Sequence, residues 1–307
     1  MDELIDSGAI ARDTAALRER LAVHGYLFFR GLLPARQLQT AGAVVTSRLR
    51  EGGWADPDGA PSAQPRALNS IEALSDPAFR AAVLCAEFNQ IPYLAPLRET
   101  VRRVLGERAY SYPVKVLRAV YPERPGARAR GRYIHYDYGV GGGQDMLTSW
   151  LPLVDIPVRL GGLAVQPGGH HWPPQLPRPL SVTEAGWATT HYRPGDAIVF
   201  HCLTPHAALP NKGAALRLSA DFRWQLPDTP APAEMILGPL AGRSGPRRPP
   251  ELFYRMFSRQ PWWEPIPAGI TLRPRAELAA IPPTPSRFFT VHPGWQAWQA
   301  PPPAQIH

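Results

Sequence analysis

Cysteine is almost missing from this chain: Cys85 and Cys202 are its only two. Two thiols cannot build a disulfide framework or a zinc ribbon. Lysine is as scarce, with only Lys115 and Lys212, so all but two of the 33 basic residues are arginine. Set beside 38 prolines and 26 glycines, that imbalance reads as the composition of a GC-rich genome rather than as selection for phosphate contacts. No block of five or six like charges occurs, so the formal net charge of +8 does not by itself point to nucleic acid. Apolar runs of the roughly 18–20 residues that a membrane span needs are absent. The opening Met1-Asp2-Glu3-Leu4-Ile5-Asp6 lacks the basic start and apolar middle of a signal peptide. Internal repeats are absent too. These absences lead to the expectation of a cytoplasmic protein with no membrane segment, acting as a monomer or homodimer.

What is present is a core. Hydrophobic residues make up 44% of 307 positions, with nine tryptophans, ten tyrosines and ten phenylalanines, which excludes a disordered chain. One domain with additions is the economical reading for this length. Residues 1–110 read as mostly helical. Asp13 or Thr14 can cap a helix bearing Leu17 and Leu21, and Gly25 stops it. Tyr26-Leu27-Phe28-Phe29 follows as a short buried strand. Pro34 suits the first turn of a second helix to about Arg50, a long loop is expected from Gly52 to Ala67, and one or two further helices from Asp76 to Leu105. After Gly106 the pattern turns to strands: Val114–Val120, Met146–Leu153, Gly162–Gln166, Ala197–Cys202 and Ala215–Gln225, separated by Pro/Gly turns. Many short strands of this kind predict a sandwich, barrel or jelly roll over 111–226. From 227 to 307 prolines crowd in, yet Phe253, Tyr254, Phe257, Trp262 and Trp263 predict an extension that packs on the core, frayed after Ala300.

The chemistry concentrates in a few polar residues. His135-Tyr136-Asp137 sets an imidazole and a carboxylate two residues apart, on one face of a strand. His206 follows the strand-like Ala197–Leu203. Two imidazoles and one carboxylate on one side of a metal leave the other side open, the ligand set of non-haem Fe(II) oxygenases. Arg217, eleven residues after His206, sits in the otherwise apolar strand Leu216–Phe222. A buried arginine there is expensive without an anion, and its planar guanidinium suits a carboxylate. The distal carboxylate of 2-oxoglutarate meets that requirement; pairing with Asp221 or Glu184 is the structural alternative.

Several segments together resemble the phytanoyl-CoA dioxygenase family. They are His135-Tyr136-Asp137, Trp150-Leu151-Pro152-Leu153, Gly161-Gly162-Leu163-Ala164-Val165-Gln166-Pro167-Gly168-Gly169-His170, Pro194-Gly195-Asp196, and Thr204-Pro205-His206 through Asn211 to Arg217-Leu218-Ser219. Gly25 to Gly31 is similar to the family's N-terminal strand. The resemblance covers about residues 20–225. It departs from the family where Asn-Gly is usual at Gly161-Gly162 and Pro-Gly-Ser-His at Pro167–His170. It implies a mainly β fold with flanking helices: a double-stranded β-helix (jelly-roll, cupin-like) core. It also implies Fe(II), 2-oxoglutarate as co-substrate, and O2. His135, Asp137 and His206 become the metal ligands, His206 being preferred to His170, His171 and His201 by the family spacing, and Arg217 the co-substrate anchor. Lys115 or Arg118 would add a second co-substrate contact, with Thr148 or Trp150 lining the pocket. Halogenases of the superfamily lack the carboxylate, so an intact Asp137 points to hydroxylation or a related oxidation of a small-molecule metabolite in bacterial secondary metabolism.

Two other classes stand beside this reading. Arg217 and Arg223 have the R-x5-R spacing of nucleic-acid demethylases in the same superfamily, although the His206-to-Arg217 distance favours the phytanoyl-CoA branch. A non-catalytic β-helix binding protein would not require the triad and the arginine. Between Arg102 and Arg132, nine basic residues (Arg102, Arg103, Arg108, Lys115, Arg118, Arg124, Arg128, Arg130 and Arg132) face Glu107 and Glu123. Charge at a cleft mouth concentrates the opposite charge, so a substrate with an anionic portion, free or carried on a phosphopantetheine or an acidic carrier protein, is expected.

Overall fold

The computed structural model describes residues 1–56, 76–123, 133–139, 142–173, 178, 180, 181, 183–237 and 257–297. The expectations for the loop beyond Asp56, the basic loop beyond Glu123, Phe253 and Tyr254, and the end after Ala300 lie outside these residues.

The chain opens with β1 (Asp2–Glu3), α1 (Thr14–His24), β2 (Tyr26–Phe29) and α2 (Ala35–Glu51). Helix α1 starts where the Asp13 carboxylate accepts the Ala16 N–H at 3.0 Å, which satisfies one of the donors a helix start leaves open. Pro34 caps α2 from just outside it rather than from its first turn. Asp76 to Leu105 forms three short helices where one or two were expected: α3 (Pro77–Val83), α4 (Ala86–Asn89) and α5 (Ala95–Leu105). None of the helices among the described residues is long and apolar enough to cross a membrane.

The strands follow: β3 (Tyr110–Ser111), β4 (Val116–Val120), β5 (Leu147–Pro152), β6 (Leu163–Val165), β7 (Ala188–Thr189), β8 (Ala197–His201), β9 (His206–Ala208) and β10 (Arg217–Gln225). The larger sheet has the order β2-β8-β5-β10-β3, with β4 also paired to β10, and the smaller has the order β1-β7-β6-β9. Every pair is antiparallel except β1 with β7. This is the double-stranded β-helix, its larger sheet backed by the helices. The N-terminal part nevertheless supplies a strand to each sheet, because a run such as Tyr26–Phe29, buried on both faces, is stable only inside a sheet.

Alternation along the strands sorts side chains into two layers. Leu27 and Phe29 of β2, Leu147 and Leu151 of β5, Val199 of β8, and Leu218, Ala220 and Phe222 of β10 join the helices' Leu21, Val45, Leu49 and Val101 in one core. The opposite residues, Tyr26, Phe28, Trp150, Ile198 and Phe200, meet Leu163, Val165 and Ala188 of the smaller sheet in a second. On β10 the inward positions are instead polar: Arg217, Ser219, Asp221, Arg223 and Gln225, all buried. The space between the sheets is thus apolar at the β2–β8 side and polar along β10. That gradient locates the site.

After β10 come β11 (Ala231–Pro232), α6 (Ala233–Leu237), β12 (Leu272–Arg273), which pairs in parallel with β11, and α7 (Arg275–Ala280). Residues of this part form a third apolar cluster with Tyr136, Tyr138 and Met146, Trp295 being fully buried within it.

Candidate metal centre

The segment 133–139 meets β9 through one antiparallel bridge, His135 N–H to His206 O at 3.0 Å and His206 N–H to His135 O at 3.1 Å. Residues paired this way present side chains to the same face, and the two imidazole centroids lie 4.1 Å apart. Asp137, two residues on, comes to that face as well. One ligand-capable atom from each of His135, Asp137 and His206 lies within 4.8 Å of the others.

The backbone decides which ring nitrogens are available. His135 Nδ1 is 3.0 Å from Tyr133 O, and His206 Nδ1 is 3.0 Å from Thr204 O. A carbonyl only accepts, so each Nδ1 carries the proton and each Nε2 lone pair is left for a metal. Burial pushes the His135 imidazole down to about 3, helped by the neighbouring His206, and it also lowers His206. Both rings are therefore neutral near pH 7, as metal binding requires. Burial alone would raise Asp137, but Arg223, the two imidazoles and the Thr148 hydroxyl together hold its carboxyl well below the usual range.

Asp137 is gripped from two sides. Thr148 Oγ1 donates to Oδ2 at 2.5 Å, and Arg223 Nη2 approaches Oδ1 at 3.3 Å. Thr148, expected to line the pocket, bonds the carboxylate of Asp137. Groups that orient a metal ligand are worth about 10–100-fold in affinity. Thr148→Val, which keeps the shape and removes the hydroxyl, should weaken Fe(II) binding by about that factor in an anaerobic titration; unchanged affinity would leave the hydroxyl without a role at the metal.

The other expected residues divide. Arg217 is buried on the inward face of β10; its Nη1 donates to Gly161 O at 2.7 Å, and its Nε has no partner. Neither alternative partner bonds it: Arg118 donates through Nε and Nη2 to Asp221 Oδ2 at 2.9 and 2.7 Å, Asp221 Oδ1 has no hydrogen-bond partner among the described residues, and Glu184 binds Arg178. Gly161, at φ 81, makes the acceptor possible, because a Cβ there would stand 2.3 Å from Leu209 O. Burial, then the nearby Arg118, lowers the Arg217 guanidinium to about 10. Arg118 also faces inward, and 42% of its side chain remains exposed while that of its partner Asp221 is 6% exposed; it is near enough to the ligand cluster to interact electrostatically with Asp137, His135 and His206. Trp150 packs edge-on to Tyr192 at 4.7 Å in the interior core.

Lys115 is the correction. It is three residues from Arg118, an odd spacing that sends the two to opposite faces of a strand. Its ammonium donates to the Tyr112 and Pro113 carbonyls at 2.6 and 3.3 Å and stands 5.4 Å from the Tyr93 ring centre, away from the ligand cluster. Among the described residues, the other members of the basic excess have partners of their own. Arg102 pairs with Glu264, Arg103 reaches Arg12 O, and Arg108 pairs with Asp228; Arg124, Arg128, Arg130 and Arg132 lie outside the described residues. The competing histidines are engaged elsewhere. His201 Nδ1 accepts from Leu203 N–H and its Nε2 meets Asp145, both at 3.2 Å. His170 Nε2 meets Ala22 O at 2.9 Å. Cys202 is buried among core residues, which raises its thiol.

Sequence reading missed Arg223 as the partner of Asp137, the Arg118–Asp221 pair, and Ser219, whose buried hydroxyl has no partner. The available signal was the alternation itself: a strand apolar at 218, 220 and 222 and polar at 217, 219, 221 and 223 encloses a polar interior.

A family model described as phytanoyl-CoA dioxygenase matches residues 21–219, more than half of the chain. A hydroxylase from Streptomyces exfoliatus, described as 1-deoxypentalenic acid 11-beta-hydroxylase, is 26% identical over 248 residues, covering 73% of this chain and 86% of its own. A protein of the same description from Streptomyces arenae is 25% identical over 246 residues, 72% of this chain and 84% of its own. Among solved structures, the apo form of a non-heme monooxygenase, ThoJ, aligns with a TM-score of 0.52 at 18% identity, covering 69% of this chain and 78% of that one; it supports the fold.

Proposed function

This chain belongs to the phytanoyl-CoA dioxygenase family of iron(II)- and 2-oxoglutarate-dependent oxygenases, and from that premise we propose that His135, Asp137 and His206 hold the iron while Arg217 and Ser219 receive the far carboxylate of 2-oxoglutarate. The observation that carries the assignment is the donor set: two neutral imidazoles with free Nε2 atoms and one ionised carboxylate, their ligand atoms within 4.8 Å. A buried guanidinium and a buried hydroxyl, each with an unpartnered atom, share the inward face of β10. Both groups fit the residues present. Iron bound there with 2-oxoglutarate and dioxygen supplies oxidation of a substrate C–H bond, coupled to conversion of the keto acid to succinate and carbon dioxide.

The chain's own residues prepare that chemistry. Thr148 fixes the rotation of the Asp137 carboxylate, and Arg223 offsets its charge in the low-dielectric interior. The Tyr133 and Thr204 carbonyls hold both rings in the tautomer a metal needs. Trp150, Phe200 and the apolar cluster behind them close the β2–β8 side to water. The reading is tested by anaerobic addition of Fe(II) and 2-oxoglutarate. A weak visible charge-transfer band is expected; its absence would sink the assignment and favour a non-catalytic binding protein.

The substrate follows less directly. A small molecule of bacterial secondary metabolism with an anionic portion is proposed, on two supports. The curated relatives carry the name of an acid as their substrate, and Arg118, steadied by Asp221, is a partly exposed cation close to the ligand cluster. A hydrogen bond to a charged group contributes about 1.5–3 kcal/mol. Arg118→Gln should therefore raise the KM for a carboxylic-acid substrate roughly ten-fold or more, with Arg118→Lys in between and the methyl ester indifferent to either change. Substrate-stimulated succinate release across a panel of terpenoid acids and their esters measures it. Equal KM values for acid and ester would make the substrate's charge irrelevant.

A further inference from the structure

Among the described residues, the metal-ligand segment 133–139 meets the smaller sheet through the single His135–His206 bridge. Besides the His135–His206 pair, Ile134 N–H reaches Arg178 O at 2.9 Å and Tyr138 N–H reaches Cys202 O at 3.0 Å. No ladder continues on either side among the described residues. A strand that presents ligands on one face can take support from its other face. Alternation supplies it, because His135 and Asp137 face inward while Tyr136 and Tyr138 face outward.

Those two tyrosines meet the part of the chain that follows the family match. Tyr136 packs edge-on against Trp295, ring centres 4.9 Å apart at 86°. Tyr138 donates its hydroxyl to Ile281 O at 2.9 Å. Helix α7 lies directly against Gly139, where a Cβ would come within 2.8 Å of the Ala279 Cα. The same stretch is tied down at a second point. Asp145, in the left-handed region at φ 58, accepts from Ser286 Oγ at 2.6 Å and from the Arg287 N–H and Nε, both at 3.1 Å, and meets His201 Nε2 at 3.2 Å. Asp145 lies three residues before Thr148, whose hydroxyl holds Asp137, and His201 lies five before His206. Phe289 then covers the His201 ring, centres 4.8 Å apart.

We infer that residues 278–295 form a strap that positions the metal ligands of this chain, Trp295 and Tyr138 bracing the His135–Asp137 segment and Asp145 fastening the strap to the segments that carry Thr148 and His206. The strap touches no ligand atom; it acts through the outward face of the strand that carries them. The inference rests on the metal assignment above, and it goes further by giving a place in the site to chain that lies outside the family match at 21–219.

In the full chain, Trp295→Ala should weaken Fe(II) binding about ten-fold or more in the anaerobic titration with 2-oxoglutarate. It should also broaden the electron paramagnetic resonance of Cu(II) bound in place of iron, since a loosened strand samples several ligand geometries. Trp295→Phe should restore both readouts, because an aromatic edge on Tyr136 suffices. Tyr138→Phe removes the hydroxyl that bonds Ile281 O and keeps the ring, and should produce a smaller change of the same sign; it decides the matter if Trp295→Ala does not fold. Variants with lowered unfolding temperature but wild-type Fe(II) affinity and Cu(II) spectrum would overturn the strap as a positioning element and leave it as packing. A wild-type chain that binds neither ion would overturn the metal assignment itself, a result distinct from the first.

Discussion

His206→Ala is expected to abolish Fe(II) binding and turnover together while leaving the fold in place. The Nε2 of His206 is one of the three proposed ligand atoms, 3.8 Å from Asp137 Oδ1, and the two that would remain are too few to hold a labile divalent ion against water. The backbone bridge between His135 and His206 does not involve the side chain and survives. The lost bond from Nδ1 to Thr204 O costs about 1 kcal/mol, and the vacated space costs somewhat more. The unfolding temperature should therefore fall by only a few degrees. His201→Ala should do the reverse. That ring binds no metal but joins Asp145 to the Leu203 backbone in a fully buried position. Its removal leaves a buried carboxylate one partner short, so stability should fall clearly while iron still binds, at reduced affinity. His191→Ala, at an exposed ring beside Asp155, should alter neither. Wild-type iron affinity in the His206 variant would break the assignment.

The contrast between His206 and His201 also marks how far the sequence could be read. Strand Tyr26–Phe29 was legible to the residue, and β4, β5, β6, β8 and β10 to within two positions, because such strands announce themselves by alternation and Gly/Pro boundaries; β1, β3, β7, β9, β11 and β12, of two or three residues each, are too short to show a pattern. The ligand cluster was legible because its residues are chemically rare in such strands. Lys115 was misplaced although parity was legible: it and Arg118 are three residues apart, so only one of them could face the ligand cluster. The bond of Thr148 to Asp137 was not foreseen, since which polar atom a hydroxyl bonds depends on a segment that reaches it only in the folded chain. The Arg118–Asp221 and Arg223–Asp137 pairs join residues 103 and 86 positions apart, and a single sequence does not disclose such separations. The strap is the clearest case. Nothing in its Pro-rich sequence states that Ser286 and Arg287 answer Asp145, because those bonds exist only once both segments have folded.

Arg217→Met should raise the 2-oxoglutarate requirement thirty-fold or more and leave Fe(II) binding without 2-oxoglutarate nearly unchanged. The guanidinium is fully charged near pH 7, since burial brings it down only to about 10. It is nevertheless inside the protein with one carbonyl partner and an unpartnered Nε. Losing a buried charged partner to a carboxylate costs on the order of 2–5 kcal/mol, of which the lower end already corresponds to about thirty-fold in affinity. The same bookkeeping makes a second claim about the protein without its co-substrate. An under-satisfied buried cation is a cost to the fold, so the methionine variant alone should unfold at the same temperature as the wild type or a higher one. In the wild type, 2-oxoglutarate added with a redox-inert divalent metal should raise the unfolding temperature, because it binds only the native state. In the variant that rise should vanish at the same concentration. The two shifts carry opposite signs, which no loss of general stability reproduces. If the co-substrate still stabilises Arg217→Met as it does the wild type, the carboxylate is held elsewhere on the inward face, and Arg118 or Arg223 becomes its anchor.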